Sequence, residues 1–188
     1  MLRGAFLHAA ADRRAIIGGR DRSPPSFMIS GIMDDLTIAR ALHILALVHW
    51  IGGVSLVTLV LLPGLLRAVP ATERLALFEM IEGRFAFQAR ISTLIAGASG
   101  FYMTYRLEAW DRFADPAYWW MHAMLAVWTL FTFILFIAEP LFLHRWFHEK
   151  ARAMPNETFA LMLTLHRVLL AVSVVTIGAS VLGAHGAI

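Results

Sequence analysis

The stretch ALHILALVHWIGGVSLVTLVLL, Ala41–Leu62, decides the fold class. No charged residue interrupts the chain between Arg40 and Arg67, and a helix needs about 20 apolar residues to cross a hydrocarbon layer about 30 Å thick. Three further segments read the same way: Ile91–Tyr105, Ala117–Leu143 and Phe159–Ile188. The second is short, and spans only if Arg90 snorkels or faces protein. The third is broken by Glu139–Pro140, and the fourth is interrupted by His166–Arg167. Lipid offers no partner to a backbone amide, so each segment is expected to be helical. The predicted fold is all-α, a transmembrane four-helix up-down bundle in a domain covering 34–188, with spans near 36–64, 86–106, 117–146 and 157–185.

Composition agrees. Of 188 residues, 59% are hydrophobic and only 15% charged, against about 45–50% and about 25% in ordinary soluble domains. There is no cysteine, which removes disulfides, iron–sulfur clusters, thiolate zinc sites and cysteine nucleophiles. The formal charge of +3 would suit nucleic acid, but the basic residues sit in the connections between apolar runs. That placement points to a bilayer partner and membrane topology. Residues 1–33 differ, with Arg3, Arg13, Arg14, Arg20, Arg22 and a Ser23–Pro24–Pro25 break. They read as a flexible basic N-terminal tail, or as an extension upstream of a start at Met28 or Met33.

Topology follows from the basic residues near the span ends. On the side carrying Asp35, called side A, stand Arg40, Arg106 and Arg112. On side B stand Arg67, Arg74, Arg84, Arg90, Arg145, Lys150, Arg152 and Arg167. Leaving the tail aside, side B is expected in the cytoplasm of a bacterial inner membrane, with both termini periplasmic. Trp110, Tyr118, Trp119 and Trp120 are expected as an aromatic belt on side A, and Trp146 on side B.

Ionisable groups inside spans are costly and each needs a reason. His43 lies eight residues past Asp35 and His122 seven past Asp115. At 1.5 Å per residue, both imidazoles sit roughly 10–12 Å below their charged ends. Two imidazoles level across a bundle core suit the two axial positions of a haem iron, and packing histidines are the alternative. His185, at the side-A end of the fourth span, is a substitute ligand or a propionate partner. His43 and Trp50 share one helix face, whereas His49 points about 120° away from His43 and cannot share its iron. Gly52 and Gly53 admit a neighbouring helix or a flat cofactor.

Side B holds a second polar group. His144 and His148 are one turn apart, His166 and Arg167 enter from the same side, and Glu139 lies deeper. Pro140 is expected to kink its helix and free a backbone carbonyl. The group suits a metal, a second haem or a quinone, or else a solvated rim with one ion pair, Glu139 with Arg90 or Arg167. On side A, Met103, Met121 and Met124 set thioethers near the imidazoles, a ligand set that suits Cu(I). Thr93, Ala96, Gly97 and Gly100, and likewise Ser173, Thr176, Ser180 and Ala184, are small residues at helical spacing that bring backbones together. They are compatible with a homo-oligomer and equally with a monomer. No phosphate loop, nucleophile elbow, zinc-protease helix or nucleic-acid module is present.

The run from His43 through Trp50, seven residues on, to Gly52–Gly53 resembles the first-helix signature of the copper-resistance D (CopD) family. The HemJ-type protoporphyrinogen oxidases show a similar spacing of histidine, tryptophan and glycine. The segment from Arg84–Phe85 to Gly97 and Gly100 looks like the second helix of the copper-resistance D family. The resemblance to the HemJ type implies a b-type haem held through its first-helix histidine, here His43. In the HemJ type, a tryptophan and then a lysine open the third helix. Here Trp119 and Trp120 precede His122, and the acidic fourth-helix run of that type is absent, so protoporphyrinogen oxidation is not implied. The leading expectation is a membrane protein that binds haem b through His43 and His122 and moves electrons to or from quinone or a partner oxidoreductase. The alternatives are copper transport or resistance, and a non-catalytic membrane subunit or scaffold.

Overall fold

The computed structural model describes residues 26–188, with side chains from Asp35 onward. Residues 35–188 make one compact unit. The expected N-terminal tail lies outside the described residues up to residue 25, and helix begins at Ser26. The chain is all-α, and no strand occurs among the described residues.

Four helical rods succeed one another. The first comprises α1 (Ser26–Leu56), a π-helical turn (Val57–Leu61) and α2 (Leu62–Ala68). The second is α3 (Arg74–Arg106), which starts twelve residues before the expected span at 86. The third runs through α4 (Trp119–Phe133), a π-helical segment (Ile134–Leu143) and α5 (His144–Ala153). The fourth is α6 (Pro155–Ala184). The α3–α4 connection holds two short 3-10 turns, Asp111–Phe113 and Pro116–Tyr118. Asp115 caps the second by accepting from the Ala117 amide at 2.9 Å.

Both π segments have a proline as their cause. A proline has no N–H and crowds the preceding turn, and a wider turn relieves both problems. Pro63 follows the first π turn and Pro140 lies within the second. In each case the residue closing the segment donates to a carbonyl five residues back, Leu62 to Val57 and His144 to Glu139.

Asp35–Ala68, Pro116–Ala153 and Pro155–Ala184 are long and apolar enough to cross a membrane, with mean hydropathies of 2.2, 2.0 and 2.0 over their best stretches. Large apolar side chains face outward from them: Leu45, Val48, Leu141 and Val175 are each about two-thirds exposed or more. A soluble monomer rarely shows so wide an apolar surface. Arg74–Arg106 does not join the three, because it carries charge.

Inward packing is densest toward side B. Phe78, Phe147 and Phe159 meet ring to ring at 5.6–5.8 Å between centroids, around Leu62, Leu65 and Leu163. Arg74, itself buried, closes the C-terminus of α2: its Nε donates to the carbonyls of Leu65 (3.1 Å) and Val69 (2.8 Å), and Nη2 to that of Leu66 (3.2 Å). Its Nη1 reaches Asn156 Oδ1 at 2.6 Å, tying α2 to the start of α6. The Leu65 carbonyl also accepts from the Val69 amide at 3.2 Å, whereas that of Leu66 faces Pro70, which has no N–H to give, and a cation at the negative end of the helix is favourable. The first rod makes its closest backbone approaches to the others through Val57–Ala68 rather than α1. Nearer side A the space between rods opens.

Candidate functional site

That space is a cavity of about 410 Å³. From α1 it takes Arg40, His43, Leu47 and Trp50, which recur every three or four residues and so share one face. From α3 it takes Gly97, Gly100 and Met103; from α4, Trp120, Met121, Met124 and Trp128. From α6 it takes Ser173, Thr176, Ser180 and Ala184. The small residues of α6 border this space, and α6 also makes its most extensive close backbone approach to α4. With large aromatic residues opposite, helices facing each other across small side chains enclose a void unless the backbones close on it. A Cβ on Gly97 would come within 2.5 Å of the Trp128 ring, and one on Gly183 would overlap the Trp120 indole. Those two glycines seat the tryptophan walls. Gly53 does comparable work outside the cavity, where it admits the Phe85 ring of α3 rather than a cofactor. Trp120 is correspondingly buried and does not belong to the side-A belt, whereas Trp110 and Trp119 are half-exposed.

His43 is held in one tautomer. Its Nδ1 lies 2.9 Å from the Ala96 carbonyl and 3.1 Å from Ser99 Oγ. Ser99 Oγ donates to the Ile95 carbonyl at 2.6 Å, so it accepts from His43. Two acceptors at Nδ1 assign the proton there and leave the Nε2 lone pair free, with no protein partner among the described residues. A ring nitrogen prepared this way, by a carbonyl behind it, is how metal-ligating histidines are oriented. Trp50 is 2% exposed, sits edge-on to Phe131 at 4.8 Å, and its Nε1–H meets no acceptor. Buried indole N–H groups normally find one. Trp128 does, donating to the Thr93 carbonyl at 2.9 Å.

The structure does not bring His122 to His43. His122 is exposed, does not line the cavity, and its Nε2 donates to the Phe113 carbonyl at 3.0 Å. Equal depth did not suffice. Position 122 falls on the opposite side of a 3.6-residue helix from Trp120, Met124 and Trp128, and the 3-10 turns bring Phe113 over it. His185 is likewise exposed and outside the cavity, its Nδ1 donating to Val181 O at 2.7 Å in its own helix. His49 is exposed on the outer face. His43 is therefore the imidazole of the cavity, and Met103, Met121 and Met124 are its thioethers.

At side B, Arg90 and Glu139 form the expected ion pair, while Arg167 is exposed and takes no part. Arg90 Nε also donates to the Leu135 carbonyl at 3.0 Å. His148 Nε2 contacts Glu79 Oε1 at 2.7 Å without good hydrogen-bond alignment, and its ring lies 4.2 Å from that of His144, tilted by 51°. His166 stays with its own helix, donating from Nδ1 to Met162 O at 3.0 Å. No group of three or more histidines and carboxylates converges as a metal site among the described residues. Sequence reasoning missed Arg74, which had counted only as a topology charge. Its signal was weak: an arginine a few residues beyond a Pro–Gly-containing helix end.

Comparison with protein-family models, curated proteins and solved structures finds no match to this chain.

Proposed function

We propose that the chain is a four-helix up-down bundle in the bacterial inner membrane that binds haem b in the side-A cavity and takes part in electron transfer. The observation that carries this is His43: a proton fixed on Nδ1 by Ala96 and Ser99, and a free Nε2 on a cavity walled by tryptophans. Arg90 turned onto Glu139 and Leu135 favours α3 as a fourth span, because its charge is met by protein rather than lipid. Side B, with its excess of arginines, then faces the cytoplasm and the termini the periplasm.

The residues fit the group. His43 would hold the iron, with the Ala96 carbonyl raising the basicity of its ring. Met103, Met121 and Met124 are the other side chains of the cavity that could ligate a metal, since no other histidine lines it. Trp50, Trp120 and Trp128 would keep water from the group. Haem supplies a one-electron couple when bound, with quinone or a partner oxidoreductase as the exchange partner. The likeness of the first helix to the HemJ type supports the same ligand.

The test is a visible spectrum of the detergent-purified protein expressed with ample haem. A Soret and reduced α band lost in His43→Ala and kept in His122→Ala supports the reading. A colourless protein overturns it. A second reading is copper handling, favoured because His43 and three methionines line one cavity. Stoichiometric bound copper lost in His43→Ala would select it. Neither metal after supply of both leaves a membrane subunit or scaffold.

A further inference from the structure

Of the arginines placed in the compact unit, Arg74 is spent on carbonyls and Asn156, Arg90 on Glu139 and Leu135, and Arg106 on Asp35. Arg40 and Arg112 differ: both line the cavity and neither has an acidic partner among the described residues. Arg112 is held over the Tyr118 ring at 5.3 Å, a contact that fixes the guanidinium plane while leaving its N–H groups available. The side chains lining the cavity include no aspartate or glutamate. Two like charges beside an apolar wall repel each other and raise the local positive potential. The opposite end of the α1 face carries the buried Trp50 N–H that lacks an acceptor. Ten residues of helix separate Arg40 from Trp50, roughly 15 Å along the axis.

We infer that the cavity takes an amphiphile with carboxylates at one end, which Arg40 and Arg112 hold at the side-A mouth, and an apolar other end that lies toward Trp50. Guanidinium groups match carboxylates with paired N–H donors, and the ligand's negative charge offsets the repulsion. The aromatic walls between the two ends select a flat, apolar body. The inference deepens the haem reading and rests on it for its probe, because a porphyrin dicarboxylate supplies paired carboxylates on one edge and a flat apolar body. It replaces the sequence expectation of His185 as the carboxylate partner with two arginines that line the cavity.

The experiment compares haem, haem dimethyl ester and metal-free protoporphyrin, titrated into the full-length apoprotein in detergent by absorbance and tryptophan quenching. Arg40→Gln and Arg112→Gln should each weaken haem and protoporphyrin binding about tenfold, the loss of one charge-assisted hydrogen bond. Binding of the ester should be unchanged in both. The apo variants should unfold at the wild-type temperature or above, since each loses an uncompensated cation. Wild type that binds haem and ester equally, or variants that bind haem as wild type does, overturns the inference and leaves the haem reading standing. Protoporphyrin binding lost in the arginine variants, with no haem Soret shift that depends on His43, overturns the iron ligand and keeps the inference. Binding of neither porphyrin acid overturns both.

Discussion

Arg90 Nε lies 3.0 Å from the carbonyl oxygen of Leu135, five residues before Pro140. In a π-helical stretch the residue at 140 would donate to the carbonyl at 135, and proline has no N–H to do so. The side chain of α3 supplies the missing donor, and its Nη2 pairs with Glu139 beside the proline. One arginine thus satisfies a backbone acceptor and a carboxylate in the third rod, and the charge most awkward for the second rod is met within the protein.

Removing that side chain should be costly. Arg90→Ala leaves Glu139 and the Leu135 carbonyl without partners and should lower stability by about 2–4 kcal/mol. Arg90→Ala with Glu139→Gln should lose less than the sum of the two single changes. A double-mutant cycle on thermal unfolding in detergent checks both, and additivity would count against the coupling.

Arg74 closes the α2 terminus with donors that a shorter side chain cannot place. Arg74→Ala should cost about 2–3 kcal/mol, the loss of charge-assisted bonds to buried acceptors. Arg74→Lys should recover only part, because an ammonium lacks the planar fork that serves four oxygens at once. Unfolding of the two variants, side by side, tests the geometry apart from the charge.

Glu82 stands before the expected span. Burial, with Glu139 adding to it, raises its carboxyl above the ordinary value of 4.5, against the opposing pull of His144 and Arg90. A carboxyl raised in the folded state binds its proton more tightly there than when unfolded. Stability is therefore lost as pH rises above the unfolded value and through the folded one. Glu82→Gln should match wild type in acid and exceed it near neutrality. An equal difference at every pH would show that Glu82 does not titrate in this range.

Ser99 accepts from His43 Nδ1 as the second partner behind the ring. Ser99→Ala should keep haem bound, since the Ala96 carbonyl remains, while raising the reduction potential or shifting the Soret band, because the imidazole becomes a weaker donor. An unchanged spectrum and potential would show that the Ala96 carbonyl alone sets the ligand.

The Trp128 indole occupies the place where Gly97 has no side chain. Gly97→Val should displace that wall, lower stability by about 1–3 kcal/mol through overpacking, and weaken any ligand of the cavity. Gly52→Ala, with open space around it, should do neither.

The long apolar runs by themselves determined that the chain is helical and how its rods succeed one another, although α3 begins twelve residues before the expected span. Chain length and hydropathy act locally, and lipid or a helix core imposes the same demand on every backbone group. The face shared by His43 and Trp50 was legible too, because periodicity along one helix is a local property. The partner across the cavity was not. Depth along the axis can be counted from sequence, but rotation about it is set by packing, and the turn at Phe113 drew His122 outward to a carbonyl. The same applies to the small residues of α6: spacing shows that they lie on one face, while only the facing tryptophans decide that this face also borders a cavity. Arg40 and Arg112, sequence-distant charges that counted only toward topology, became neighbours of that cavity through the same packing.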